Sequence, residues 1–396
     1  MTTTTHAGHT GQTGTVWDTL VGQRRAVEAL RSAAAGHGMS QAFLFTGPPG
    51  SGRSNAAIAF AAALQCEQTT PGCGTCHSCH TVLAGTHADV SVIRTQRLSL
   101  GVDEVRDLVR RSALAPVGRR WQILIVEDAD RLTEQANNAL LKAIEEPTDR
   151  TVWMLCAPTV EDLLPTIRSR CRMVTLSTPS TDEVADFLVR SDGVDGALAS
   201  YCARASQGHI GRARALARDE DARNRRHEVV SMPARLISLG ACLDAATNLV
   251  EMTQEEADTL TSDLDARERA DLDASYGVVE RGRRPREYAP AAAALEKAQK
   301  GRAKRRHLDA VDRSLMDLVS VYRDAIALAT GGTPLVNDEL RRDIETIAQG
   351  TTPELNLRRI GWIFDAREQM LEFNVPPALA LESLMVALKA PQAQVR

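Results

Sequence analysis

The stretch Gly47-Pro48-Pro49-Gly50-Ser51-Gly52-Arg53-Ser54 constrains the fold of this chain more than any other. Its glycines let successive backbone N–H groups converge on a phosphate chain, and a following helix adds its positive N-terminal end. Phe43-Leu44-Phe45 before it reads as a buried strand and Ala56 to Leu64 after it as a helix, which is the context such a loop requires. Strand, phosphate-cradling loop and helix in that order commit the chain to an α/β architecture with a parallel sheet. The loop departs from its type at one position. Where a lysine ordinarily reaches the terminal phosphates, Arg53 stands. A planar guanidinium on a longer stem keeps the charge but does not take the place of a compact ammonium. Gly47, Gly50, Ser51, Gly52, Arg53 and Ser54 therefore read as an inherited nucleotide site in which binding of ATP and Mg2+ is weakened or lost.

A chain of 396 residues predicts two or three domains with sizeable cores, and a net charge of −4 argues against a protein that coats nucleic acid through bulk positive charge. Met1 to Gly14, rich in Thr, Gly and His, has neither a basic start nor an apolar segment, so it is expected to be a disordered tail rather than a secretion signal. No apolar run approaches the length that spans a bilayer, and the expected location is the cytoplasm. The eight cysteines fall into two groups: Cys156, Cys171, Cys202 and Cys242 are scattered, whereas Cys66, Cys73, Cys76 and Cys79 are crowded together. The spacing C-x6-C-x2-C-x2-C, with Pro71, Gly72 and Gly74 supplying turns, aims four thiolates at one point and suits tetrahedral zinc. Four sulfur ligands leave no open position for water, so a structural zinc is expected; His77 and His80 read as loop histidines facing water.

Asp89 to Ile93 reads as a strand, Val102 to Leu114 as a helix, and Trp121-Gln122-Ile123-Leu124-Ile125-Val126 as a strand buried on both faces of a parallel sheet. The last of these ends in Glu127-Asp128. In phosphate-loop ATPases this strand end carries a metal-holding aspartate followed by a glutamate that orients water, and in this chain the order is reversed. Arg131 to Glu146 has Leu132, Ala136, Leu140 and Ile144 on one helical stripe, closed by Pro147, and Val152 to Cys156 is a further buried strand.

Asn138-Ala139-Leu140-Leu141-Lys142 through Glu145-Glu146-Pro147, then Ser169-Arg170-Cys171, together with a four-cysteine loop after the phosphate-loop helix, resemble the bacterial DNA polymerase III clamp loader, a ring of AAA+ subunits. Trp17 to Gln23 looks like the same family's opening segment. The resemblance is dense over residues 16 to 215 and thin beyond. It implies a hetero-pentameric ring with gamma/tau and delta subunits, acting on a sliding clamp and on primed DNA. Arg53, the transposed Glu127 and Asp128, and Cys156-Ala157-Pro158-Thr159, which lacks a polar γ-phosphate sensor, depart from the motor subunits. So does Gly211 of Gly208-His209-Ile210-Gly211-Arg212, which aligns with their nucleotide-touching arginine. Within the family the chain is thus similar to the delta-prime subunits, which are largely non-hydrolysing. Ser169-Arg170-Cys171 is intact and corresponds to the motif whose arginine, Arg170, projects as a finger into a neighbour's ATP site. An active gamma/tau-like ATPase motor, and a zinc-bearing nucleic-acid-binding AAA+ protein outside the loader, remain the competing readings.

The expected domains are an AAA+ domain over 15–178 with a zinc-binding insertion at 66–79, a small helical lid over 179–235, and an all-helical domain over 236–396. The resemblance makes the last a collar that holds the ring together. Ser180 and Glu183 form a capping box that opens the lid. Residues 255–273 hold eight acids against two arginines, and 281–306 hold ten bases against two acids. These opposed blocks read as a charged insertion whose halves pair or form a solvated hairpin, ahead of a DNA- or partner-binding extension.

Overall fold

The computed structural model describes residues 14–95, 99–118, 120–276, 285–332 and 334–389, so the expected tail before Gly14 and the run Arg281 to Arg284 lie outside the described residues. The chain divides into two compact units at Arg214/Ala215.

The first unit contains α1 (Arg24–Ala34), β1 (Ala42–Thr46), α2 (Arg53–Gln65), α3 (His77–Leu83), β2 (Val90–Ile93), α4 (Val102–Ser112), β3 (Gln122–Val126), α5 (Glu134–Glu145), β4 (Thr151–Ala157), α6 (Pro165–Arg168), β5 (Arg172–Thr175), α7 (Thr181–Asp192), α8 (Gly196–Ser206) and the start of α9 (Ile210–Arg218). All five strands are parallel in the order β2-β3-β4-β1-β5. Strand alternation sends Phe43, Phe45, Ile123, Ile125, Met154 and Cys156 to one face, where they meet α1 and α2. Leu44, Leu124, Val126, Trp153 and Leu155 face the other side and pack on α4, α5 and α6. The alanines of α2 let it lie close on the sheet, with the Phe60 ring edge-on to Phe43 at 4.8 Å.

The helix expected from Arg131 shifts at its start. Ala129–Arg131 is a 3-10 turn, and α5 starts only at Glu134 because the Thr133 side chain caps it, accepting from the Ala136 N–H at 3.3 Å. The capping box at Ser180 and Glu183 opens α7.

The second unit is helical throughout its described residues: α10 (Glu220–Arg235), α11 (Leu239–Ser275), α12 (Tyr288–Thr330), α13 (Arg341–Gly350), α14 (Pro353–Leu371) and α15 (Pro377–Lys389). Val229, Met232 and Leu236 join Leu315, Leu318, Tyr322, Ile363, Leu381 and Met385 in its core. Thus α10, placed in the lid by the sequence reading, packs with the C-terminal helices. The acidic half of α11 and the basic half of α12 pair with each other. Arg302 bridges Asp265 and Glu268, Gln299 Nε2 donates to Asp265 O at 3.0 Å, and the Tyr288 hydroxyl donates to Asp273 at 2.5 Å. No described helix is long and apolar enough to cross a membrane.

Candidate functional site

Parallel strands place their carboxyl ends together, and the loops that leave these ends form the ligand crevice of an open α/β sheet. The loop after β1 runs from Gly47 to Gly52, and Gly52 precedes the first turn of α2. Gly50 has φ +84°, and a Cβ there would stand 2.4 Å from Cγ of His209, so the imidazole lies directly on the glycine backbone. The sequence alone gave no signal for this contact between His209, just before α9, and the loop. His209 Nδ1 accepts from the Arg212 N–H at 3.2 Å.

Arg53 does not extend away from the loop. Its Nη1 donates to Gly47 O at 2.5 Å, closing the guanidinium onto the loop's own backbone. Burial lowers its pKa, with Asp130, Asp128 and Asp162 acting in the opposite sense. The loop is backed by the segment after β4, where Pro158 O accepts from the Gly47 N–H at 3.1 Å and Asp162 accepts from the Thr159 N–H at 2.7 Å.

Glu127 and Asp128 leave β3, which β4 separates from β1. Glu127 is paired with Arg94 at 2.6 Å, and its side chain is 8% exposed. Burial raises its pKa, Arg94 opposes the rise and Asp128 adds to it. The Arg94 pair, supplied by the end of β2, was not anticipated from the sequence. Asp130 is also raised, by burial first.

Ser169, Arg170 and Cys171 lie between α6 and β5, at the amino end of β5. With β5 parallel to β1, Arg172 opposite Phe43 and Thr175 opposite Thr46, Arg170 sits about 10 Å or more along the strand axis from the phosphate loop of its own chain. Arg170 Nη1 donates to Thr166 O at 2.8 Å and to Ser169 Oγ at 3.3 Å, while Nη2 pairs with Glu145 at 2.8 Å. Cys171 is half-buried, and burial pushes its thiol up to about 12.

The sulfurs of Cys66, Cys73, Cys76 and Cys79 lie within 4.8 Å of one another, with Cys73 and Cys79 at 4.0 Å. A zinc–sulfur tetrahedron with bonds of about 2.3 Å has edges of about 3.8 Å, so the cluster fits such an ion with little closing movement. Backbone N–H groups of Thr75 and Cys76 point at Cys73 Sγ at 3.4 and 3.3 Å, and that of Cys79 at Cys76 Sγ at 3.4 Å. Burial raises the Cys73 thiol, but the Thr75 hydroxyl, the N–H groups of Thr75 and Cys76, and Cys66 outweigh it and bring it down to about 6, while burial raises Cys79. The four cysteines are therefore able to bind a metal such as zinc. His77 and His80 are exposed on α3.

Residues 22–180 match the family model described as DNA polymerase III, delta subunit. A DNA polymerase III subunit delta' from Pseudomonas aeruginosa is 35% identical over 170 residues, 41% of this chain and 52% of that protein. Residues 22–180 belong to the clamp-loader delta-prime and gamma/tau family. A gamma/tau subunit from Mycobacterium tuberculosis is 36% identical over 154 residues, 38% of this chain and 27% of that protein. The match thus spans about half the length of the delta' relative and about a quarter of the gamma/tau relative. A gamma subunit-related protein of Thermotoga maritima superposes with a TM-score of 0.45 at 16% identity, over 91% of this chain and 98% of that one.

Proposed function

We propose that this chain acts as a delta-prime-type clamp-loader subunit: a largely non-hydrolysing member of a hetero-pentameric ring with gamma/tau and delta subunits. In this reading it supports loading of the sliding clamp onto primed DNA and offers Arg170 to a neighbour's ATP site. The observation that carries the reading is Arg53, whose guanidinium is bound to Gly47 O instead of standing free over the loop. Phosphoryl transfer depends on positioned charges acting together, and the held Glu127 weakens the same site a second time. The position of Arg170, at the other end of the sheet from its own phosphate loop, supports action in trans. The four-cysteine cluster would hold a structural zinc.

The 36% identity to a gamma/tau subunit favours a second reading, a motor subunit in which Arg53 replaces lysine imperfectly. ATP turnover by the purified chain separates the two. The delta-prime reading expects a rate no higher than background, with residual nucleotide binding through the Ser51, Gly52 and Ser54 backbone at most. Turnover on the order of 1 per second that disappears in Ser54→Ala would establish the motor.

A further inference from the structure

A single short strap touches three parts of the first unit that are remote in sequence. At its start it lies against the cysteine loop: the Val16 N–H donates to Gly72 O at 3.1 Å and the Trp17 indole N–H to Pro71 O at 3.3 Å. Gly72 has φ +90°, and a Cβ there would stand 2.6 Å from Trp17 Nε1, so loop and strap are in direct contact. Val16 and Trp17 are buried, and the Arg31 guanidinium covers the Trp17 ring at 5.7 Å.

At its end the strap reaches the phosphate loop and the link into the lid helices. Gln23 is 3% exposed and makes three bonds across chain segments. Its Nε2 donates to Ser51 O at 3.3 Å and to Ser177 O at 2.6 Å, and its Oε1 accepts from the Ser177 N–H at 3.1 Å. Beside it, a Cβ on Gly22 would meet Glu183 Oε2 at 2.8 Å and Pro179 Cα at 3.3 Å. Glu183 is the residue that closes the cap of α7. Between the two ends runs the 3-10 turn Val16–Thr19, continued by the Leu20 N–H to Trp17 O at 3.0 Å and the Gln23 N–H to Leu20 O at 3.4 Å. The connection is hydrogen-bonded along its length.

We propose that residues 14–23 are a relay through which the metal state of the cysteine cluster sets the geometry of the phosphate loop and of the link Leu176 to Ser180. The proposal rests on the zinc reading of Cys66, Cys73, Cys76 and Cys79. Cys73 directly follows Pro71 and Gly72, so a metal bond to its sulfur pins the two carbonyls on which Val16 and Trp17 are seated. Without metal, the loop keeps its N–H to sulfur bonds and the Ser78 bonds to Glu67, but Cys73 is no longer tied to three other sulfurs through a common ion, and Trp17 loses a fixed seat. Close-packed interiors transmit such a shift instead of absorbing it, and the hydrogen-bonded turn, buried at Val16 and Trp17, delivers it to Gln23. Gln23 is then a positioning residue for Ser51 and Ser177.

Hydrogen–deuterium exchange of the full chain, as purified and after zinc removal with a chelator, tests the relay, with zinc content measured first. Exchange is expected to accelerate at least threefold in three separate segments, 66–84, 14–23 and 176–180, while β3, β4 and the helices of the second unit keep their protection. In Gln23→Met, which keeps the volume but removes the three bonds, zinc removal should still accelerate 14–20 but no longer change 176–180. A chain that carries no zinc as purified would overturn the metal reading. With zinc present, a response confined to 66–84, one spread over the whole sheet, or an undiminished response at 176–180 in Gln23→Met would each overturn the relay.

Discussion

Arg170 is the residue through which the proposed function reaches a neighbouring subunit, and its contacts define what its removal should do. Its partners Glu145, Thr166 and Ser169 are all at the surface, and pairs of that kind contribute about 0–1 kcal/mol. Arg170→Ala should therefore leave folding and zinc content unchanged. In a reconstituted complex it should slow DNA-stimulated ATP turnover and clamp loading, by less than the ~1,000-fold or more that a trans-acting arginine can supply, because other subunit boundaries keep their own fingers. Arg170→Lys should not restore full activity, since a point charge lacks the fork that spans two phosphate oxygens. ATPase assays on complexes matched for stoichiometry by gel filtration check this; wild-type rates with Arg170→Ala would leave the chain a scaffold. The motif Ser169-Arg170-Cys171 was legible in the sequence only through its resemblance. The separation of Arg170 from its own phosphate loop came from strand direction.

At the scale of elements, the α11–α12 pair shows how charge replaces apolar packing. Ala257, Thr261, Asp265, Glu268 and Leu272 share one helical face, too polar to close on hydrophobic burial alone. Arg302 closes it, with its side chain 7% exposed between Asp265 and Glu268. Arg302→Met should destabilise the second unit by about 1–2 kcal/mol, less than a fully buried pair because both carboxylates retain some water. Hydrogen bonding from Arg302, opposed by burial, holds Glu268 below the ordinary carboxylate range. A depressed folded pKa contributes stability that is complete above the unfolded value near pH ~4.3 and is lost as the pH falls through the folded value. Denaturant melts from pH 6 to 3 should show this loss in the parent chain and a flatter profile in Arg302→Met. Equal profiles would mean that Arg302 does not set the acid response. The sequence offered pairing of the blocks as one of several outcomes; register, which puts Arg302 opposite Asp265 and Glu268, decided it.

Over the whole molecule, the four-cysteine cluster lies in the first unit, and the described residues of the second unit hold no such group; in the proposed reading a zinc there stabilises the first unit alone. Cys76→Ser should bring zinc below about a tenth of an equivalent and lower the melting temperature of the first unit by about 5 °C or more. Metal analysis with calorimetry checks both, and normal stability in a zinc-free chain would remove the structural role of the ion. The second unit's own core, built on Leu315, Leu318, Tyr322, Ile363 and Leu381, should melt unchanged.

The sequence by itself determined what is local or periodic. The strand, glycine loop and helix over residues 42–65 were legible because glycine and proline punctuate a buried strand and a helix, the cysteine cluster because ligand spacing is short-range, and the helices of the second half because apolar residues repeat with the helical turn. Tertiary structure alone decided what depends on chains meeting. Strand order puts β4 between β1 and β3 and Arg94 beside Glu127. Burial of Val229 and Met232 places α10 with the C-terminal helices. His209 on Gly50, and Gln23 between Ser51 and Ser177, join residues about 30 to 160 positions apart. Such contacts leave no periodic trace in a single chain, because they arise from where folded elements pack and not from any preference of the residues that make them.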